Sequence, residues 1–178
     1  MVALLSLLSP PARAAFRTEV EPVVGYERVQ KLVPTPHSRD RLVYGARLTA
    51  GILWVAAELE YLNSSDNESF PISAMTTKDV TDRAKAGVRV SMSFLRILAF
   101  TLRGGAQASK NRHTETSNGV STTTYEPITY QPYLGAGLTA TLARNLAFRA
   151  DATAVFPDFP SFLGATYQAT AGFIIRFP

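Results

Sequence analysis

Apolar and polar residues alternate along most of this chain with a period of two. The clearest stretch is the last, ATYQATAGFIIRFP over 165–178. There Ala165, Tyr167, Ala169, Ala171, Phe173, Ile175 and Phe177 share one parity, and Thr166, Gln168, Thr170, Gly172 and Arg176 the other. Such a period marks a β-strand with two chemically different sides. Alternation predicts eight strands, over 19–30, 41–51, 53–63, 79–93, 97–109, 125–142, 145–156 and 164–177. Most are as long as the ~9–11 residues a tilted strand needs to cross a bilayer, and longer than the ~5–6 usual in globular sheets.

The connections carry a second pattern. After the first, third, fifth and seventh strands come KLVPTPHSRD, SSDNESFPISAMTTK, KNRHTETSNGVSTTT and PDFPSFL, rich in Pro, Ser, Thr, Asn and charge. After the second, fourth and sixth the chain turns within a few residues, near Ile52, over 94–96 and at Ala143-Arg144. One end of the bundle is therefore elaborated and the other clipped, as in transmembrane barrels.

The polar parity says which side meets oil. In the second strand Leu42, Tyr44, Ala46, Leu48 and Ala50 oppose Arg41, Gly45, Arg47 and Thr49. In the fourth, Ala84, Ala86, Val88, Val90 and Met92 oppose Arg83, Lys85, Gly87, Arg89 and Ser91. In the sixth the polar side also carries Tyr133, and in the third the parity turns Trp54 inward unless it sits in the tight turn. A water-facing strand surface would be crowded with Lys and Glu. Here it holds Thr, Ser, Gly and Gln with isolated charges, and the strand cations are nearly all Arg.

That mixture suits a narrow lumen in which planar guanidinium groups meet carboxylates. The expected network pairs Glu58, Glu60 and Asp151 with members of the set Arg47, Arg83, Arg89, Arg103, Arg149 and Arg176. Glu21 and Glu27 point inward by the same parity. Aromatic residues gather towards strand ends, with Tyr26, Tyr61, Tyr125 and Tyr167 near the long connections and Tyr44, Phe94, Phe173 and Phe177 within strands or nearer the short turns, as in the girdles of membrane barrels.

Composition sharpens this picture. Charged residues are 18% of the 178, below the ~25% of soluble domains. After the first few positions no apolar run is long enough for a spanning helix. The formal net charge is +4, but the cations are scattered singly, which argues against nucleic acid. Cysteine is absent, so there is neither a disulfide framework nor a thiolate metal site. The start, MVALLSLLSPPARAAF, has a short apolar run and a small-x-small site at Ala12-Arg13-Ala14, predicting a signal peptide over 1–15 and a barrel over 16–178. No cation precedes the apolar run, so the true start of that signal is open.

On these residues the chain resembles the small eight-stranded outer-membrane barrels of Gram-negative bacteria, the OmpA/OmpX-like group, over essentially the whole of 19–177. The resemblance implies an all-β, antiparallel up-and-down transmembrane barrel in the cell outer membrane, with periplasmic termini and long connections outside the cell. It implies the lipid bilayer, lipopolysaccharide and the barrel-assembly machinery as partners, a monomeric state and no cofactor. In that family the last strand alternates aromatic and apolar residues and ends on Phe, a signal read by the assembly machinery. Tyr167, Phe173, Ile175 and Phe177 occupy those positions, with Pro178 making Phe177 next to last. No peptidoglycan-binding domain is expected after the barrel.

The role this implies is structural or surface-interacting, with a plugged or very narrow lumen and no enzymatic activity. Three alternatives share the strands: a small porin-like channel, a lipid A-modifying barrel enzyme and a soluble lipocalin-like barrel. The enzyme would need a His with a Ser or carboxylate near the outer rim. His37 beside Ser38, and His113 two before Glu115, are the available groups, and neither completes a nucleophile, base and orienter. Asp66 and Glu68 could take a loose divalent cation, at a spacing that is not specific.

Overall fold

A computed structural model describes residues 16–31, 37–52, 54–70, 75–95, 97–117, 119–157 and 165–177. The expected signal segment over 1–15 and most of PDFPSFL lie outside these residues. The elements are β1 (Arg17–Lys31), β2 (His37–Gly51), β3 (Val55–Phe70), β4 (Met75–Ser93), β5 (Leu98–Ser117), β6 (Val120–Tyr125), β7 (Thr129–Ala143), β8 (Leu146–Val155) and β9 (Thr166–Phe177).

Neighbouring strands pair antiparallel in the order β4-β3-β2-β1-β9-β8-β7-β5, and the β4–β5 ladder closes the ring. β6 and β7 both pair with β5, β6 from Arg112 upward and β7 from Ser109 downward. They form one stave, broken over 126–128, so the barrel has eight staves. The break holds Pro127, which has no N–H to give to a ladder. Closure leaves the eight-stave ring without an open edge.

Two faces follow from the alternation. Inward positions are buried, while outward Leu48, Leu59, Val88, Leu134, Leu138 and Ile175 stay exposed. The inward face also takes some apolar side chains, among them Val23, Val43, Leu62 and Ile174. Trp54 does not point inward; it lies exposed in the short β2–β3 turn.

Much of the expected connecting sequence is strand instead. β3 runs on through Ser64 to Phe70, β4 begins at Met75, β5 reaches Ser117 and β6 returns from Val120. The β2–β3 ladder ends at Val43↔Ser64, whereas β3–β4 continues to Phe70↔Met75 and β4–β5 to Met75↔Ser117. A four-stranded sheet of β3, β4, β5 and β6 therefore rises beyond the closed barrel, beside a separate β1–β2 hairpin. Both parities of these extensions are polar, as in Ser64-Ser65-Asp66-Asn67-Glu68, so alternation vanishes although the ladder does not. Threonine favours extended backbone, and register is already set by the staves below. Gly119, at φ +81°, supplies the positive angle of the β5–β6 turn.

Candidate functional site

The interior is a web of charge. Arg47, contributed by β2, is fully buried and meets four carboxylates: Glu60 at 2.6 Å, Asp151 at 2.7 Å, Glu21 at 3.1 Å and Glu58 at 3.8 Å. Glu60 is also held by Lys85 at 2.8 Å and Arg103 at 2.9 Å, and Arg103 lies 2.7 Å from Glu58. Below, Glu19 gathers Arg89 at 2.7 Å, Arg176 at 3.0 Å and Arg149 at 3.4 Å, while Arg149 reaches Glu21 at 2.8 Å. Above, Glu27 joins Arg83 at 2.6 Å and Arg41 at 2.8 Å, and accepts from Gln168 Nε2 at 2.9 Å.

These contacts cross the lumen from wall to wall. Arg47 stands on β2 and Asp151 on β8, and Lys85 of β4 donates to Gln168 Oε1 of β9 at 2.5 Å. Ions this deep would each lose several kcal/mol of hydration, on the order of the usual effective penalty, unless paired and hydrogen-bonded. Every cation of the expected set thus has a carboxylate beside it. Parity alone also turns Glu19, Arg41 and Lys85 inward, yet the expected network, built on guanidinium geometry, left them out.

Tyr133 is the inward aromatic. Its ring lies 5.6 Å from Lys85 Nζ and 5.3 Å from the Arg103 guanidinium carbon, so it offers a π face to two cations. Room for it comes from β4: a Cβ on Gly87 would fall 2.4 Å from Tyr133 Oη and 2.3 Å from the Gly104 carbonyl oxygen.

The exterior is layered. Six of the seven tyrosines, Tyr26, Tyr44, Tyr61, Tyr125, Tyr130 and Tyr167, face outward and are exposed on the half nearer the long hairpins. Trp54, Phe94 and Phe177 lie exposed at the clipped end. Between them, the outward positions of the described staves carry no charge. Phe173 and Ile175 belong to this band, with Phe173 edge-on to Phe148 at 5.4 Å, and Tyr167 and Phe177 stand near its two margins.

The candidate catalytic groups lie on two different hairpins, His37 and Ser38 on β2 and His113 and Glu115 two apart on β5. His113 Nδ1 lies 2.5 Å from Asp79 Oδ1 on the β4–β5 extension, where its ladder partners are Asp79 and Thr124. His37 ends the β1–β2 hairpin opposite Lys31, on a different projection. Asp66 and Glu68 both pair with Arg39, Asp66 at 2.9 Å, and no group of three metal-ligating side chains occurs among the described residues.

No family model and no curated protein matches the chain. Solved structures do. Neisserial surface protein A superposes with a TM-score of 0.62 at 12% identity, covering 91% of this chain and 97% of its own. Ail, the attachment invasion locus protein of Yersinia pestis, in complex with the heparin analogue sucrose octasulfate, gives 0.61 at 13%, covering 91% and 99%. The N-terminal β-barrel domain of Pseudomonas aeruginosa OprF gives 0.56 at 12%, covering 89% and 97%. At such identities the likeness is one of fold.

Proposed function

From the fold it shares with small eight-stranded outer-membrane barrels, we propose that this chain is an integral outer-membrane protein whose interior is closed and whose role lies at its surface. One observation carries this: an uncharged apolar band between two aromatic rims, wrapped around an interior of paired ions. Water would leave that band as an apolar patch far larger than soluble monomers tolerate, whereas hydrocarbon makes it the stable face. A soluble lipocalin-like barrel needs the opposite arrangement.

Closure of the lumen is supported by the side chains that meet across it, since eight staves leave an interior just wide enough to fill. The polar hairpins are then what the protein offers to its surroundings. By analogy of fold, the short turns and both ends of the chain face the periplasm, the extensions stand outside the cell, and Tyr167, Phe173, Ile175 and Phe177 are read by the assembly machinery.

The membrane reading is tested by fractionation and by migration on a detergent gel with and without boiling. Recovery with the outer membrane and a heat-dependent shift are expected, because a closed ladder resists detergent until boiled. Recovery in the soluble periplasm without detergent would refute it. Planar-bilayer recording tests the closed interior, where steady single-channel steps would favour the small pore.

A further inference from the structure

The outward surface of β4 and β5 is unlike the rest of the wall. Lys78 on β4 and Lys110 and Arg112 on β5 are exposed, and their ladder partners are Thr114, Asp82 and Val80 respectively. This register places Lys78 and Arg112 diagonally across one strand pair and Lys110 two residues below Arg112 on the same face. Among the described residues none of the three has a carboxylate within 4.0 Å. Asp82, the ladder partner of Lys110, is turned towards β3, where its Oδ1 accepts from Tyr61 Oη at 2.5 Å and Asn63 Nδ2 at 2.8 Å, and it attracts Lys110 and Arg112 only from beyond 4.0 Å. The β1–β2 wall differs: its outward Arg28 is matched to Asp40 by two bonds of 2.8 and 3.0 Å, which hold the Asp40 carboxyl below the usual range.

Height and floor point to the ligand. Lys110 Nζ lies 5.7 Å from the centre of the Tyr125 ring, and the Ala108↔Tyr130 pair sits just beneath, so the cations stand immediately above the tyrosine rim. Directly below them the outward register runs Ala84↔Ala108, Ala86↔Ala106 and Val88↔Gly104. This lane of small side chains is walled by Leu59 and Tyr61 on β3 and by Tyr130 and Leu134 on β7. Elsewhere a small-residue lane would accept any hydrocarbon. Here it ends at three positive charges, offset in part by Asp82, in the headgroup plane.

We propose that this face binds one phosphorylated lipid of the outer leaflet, its phosphate held by Lys78, Lys110 and Arg112 and an acyl chain lying along the alanine lane. The proposal rests on the outer-membrane reading and deepens it. Each cation close to an anionic headgroup contributes about fivefold to affinity, and Asp82 offsets part of the total, so selectivity of at least about tenfold for a phosphorylated over a dephosphorylated lipid is expected.

The test is native mass spectrometry of detergent-purified protein mixed with bisphosphorylated lipid A or its dephosphorylated form. Wild type should retain the phosphorylated lipid at least about tenfold better. The triple change Lys78→Gln, Lys110→Gln and Arg112→Gln should abolish the preference, while Arg28→Gln leaves it intact. Ala106→Leu, which fills the lane, should weaken retention of both lipids. A preference that survives in the triple variant overturns the proposal, and so does displacement of the lipid by equimolar inorganic phosphate, which would make this a soluble-anion site. Each protein is first checked for heat-dependent migration. Its loss in wild type would fail the membrane reading itself, whereas its presence without lipid selectivity fails only this proposal.

Discussion

Arg47→Leu removes the cation at the centre of the interior, and the partners left behind set the cost. Three of its four carboxylates keep another cation: Glu60 keeps Lys85 and Arg103, Glu21 keeps Arg149, and Glu58 keeps Arg103. Among the described residues Asp151 keeps no cation within 4.0 Å, since Arg47 at 2.7 Å is its one contact of that kind there, and Arg103 and Arg149 act on it only from farther away. The loss is thus dominated by one buried carboxylate left without a contact cation, up to about 3–5 kcal/mol. Asp151→Asn removes the orphaned charge, so the double variant should lie within about 2 kcal/mol of wild type, and the pair should couple by at least about 1 kcal/mol. The assay is urea unfolding in lipid vesicles, followed by circular dichroism for wild type, both single variants and the double variant. Additive losses, or an Arg47→Leu protein within about 0.5 kcal/mol of wild type, would refute the claim that these contacts act as one desolvated cluster.

The other consequences are simpler. Tyr133→Phe should change stability by less than about 1 kcal/mol, because the ring's π face towards Lys85 and Arg103 remains and Arg103 keeps Glu58 and Glu60, whereas Tyr133→Ala should cost about 3–5 kcal/mol in the same unfolding assay. Leu59→Arg, on the lipid side, should cost up to about 2–4 kcal/mol, while Val120→Arg on the extension should shift stability by no more than about 0.5 kcal/mol. Phe173→Asp with Phe177→Asp should abolish heat-dependent gel migration of protein recovered from membranes. His113→Ala should leave the lipid A acylation pattern unchanged by mass spectrometry.

What could be read from the sequence tracks where two solvents differ. Between the apolar outer band and the charged lumen, neighbouring residues face opposite demands, so Leu42 beside Val43 is ambiguous alone, but Leu48 against Arg47 and Thr49 is not. Above the rim both sides of the sheet are wet, the selection for alternation ends, and the extensions of β3, β4 and β5 read as loops. The interior shows a related limit. Parity turned Lys85 and Glu19 inward, but which ions meet depends on the stagger of non-neighbouring staves, and a contact such as Arg47–Asp151 spans 104 positions. The cations above the tyrosine rim were missed for the same reason as the extensions: they lay in sequence without period.

The single indole offers a practical consequence. Trp54 occupies the short β2–β3 turn, at the end opposite the six outward phenols. A water-soluble quencher that cannot cross vesicles will therefore dim its emission only where that turn faces the outer bulk, so the fraction of barrels inserted each way up can be counted optically, with no label attached.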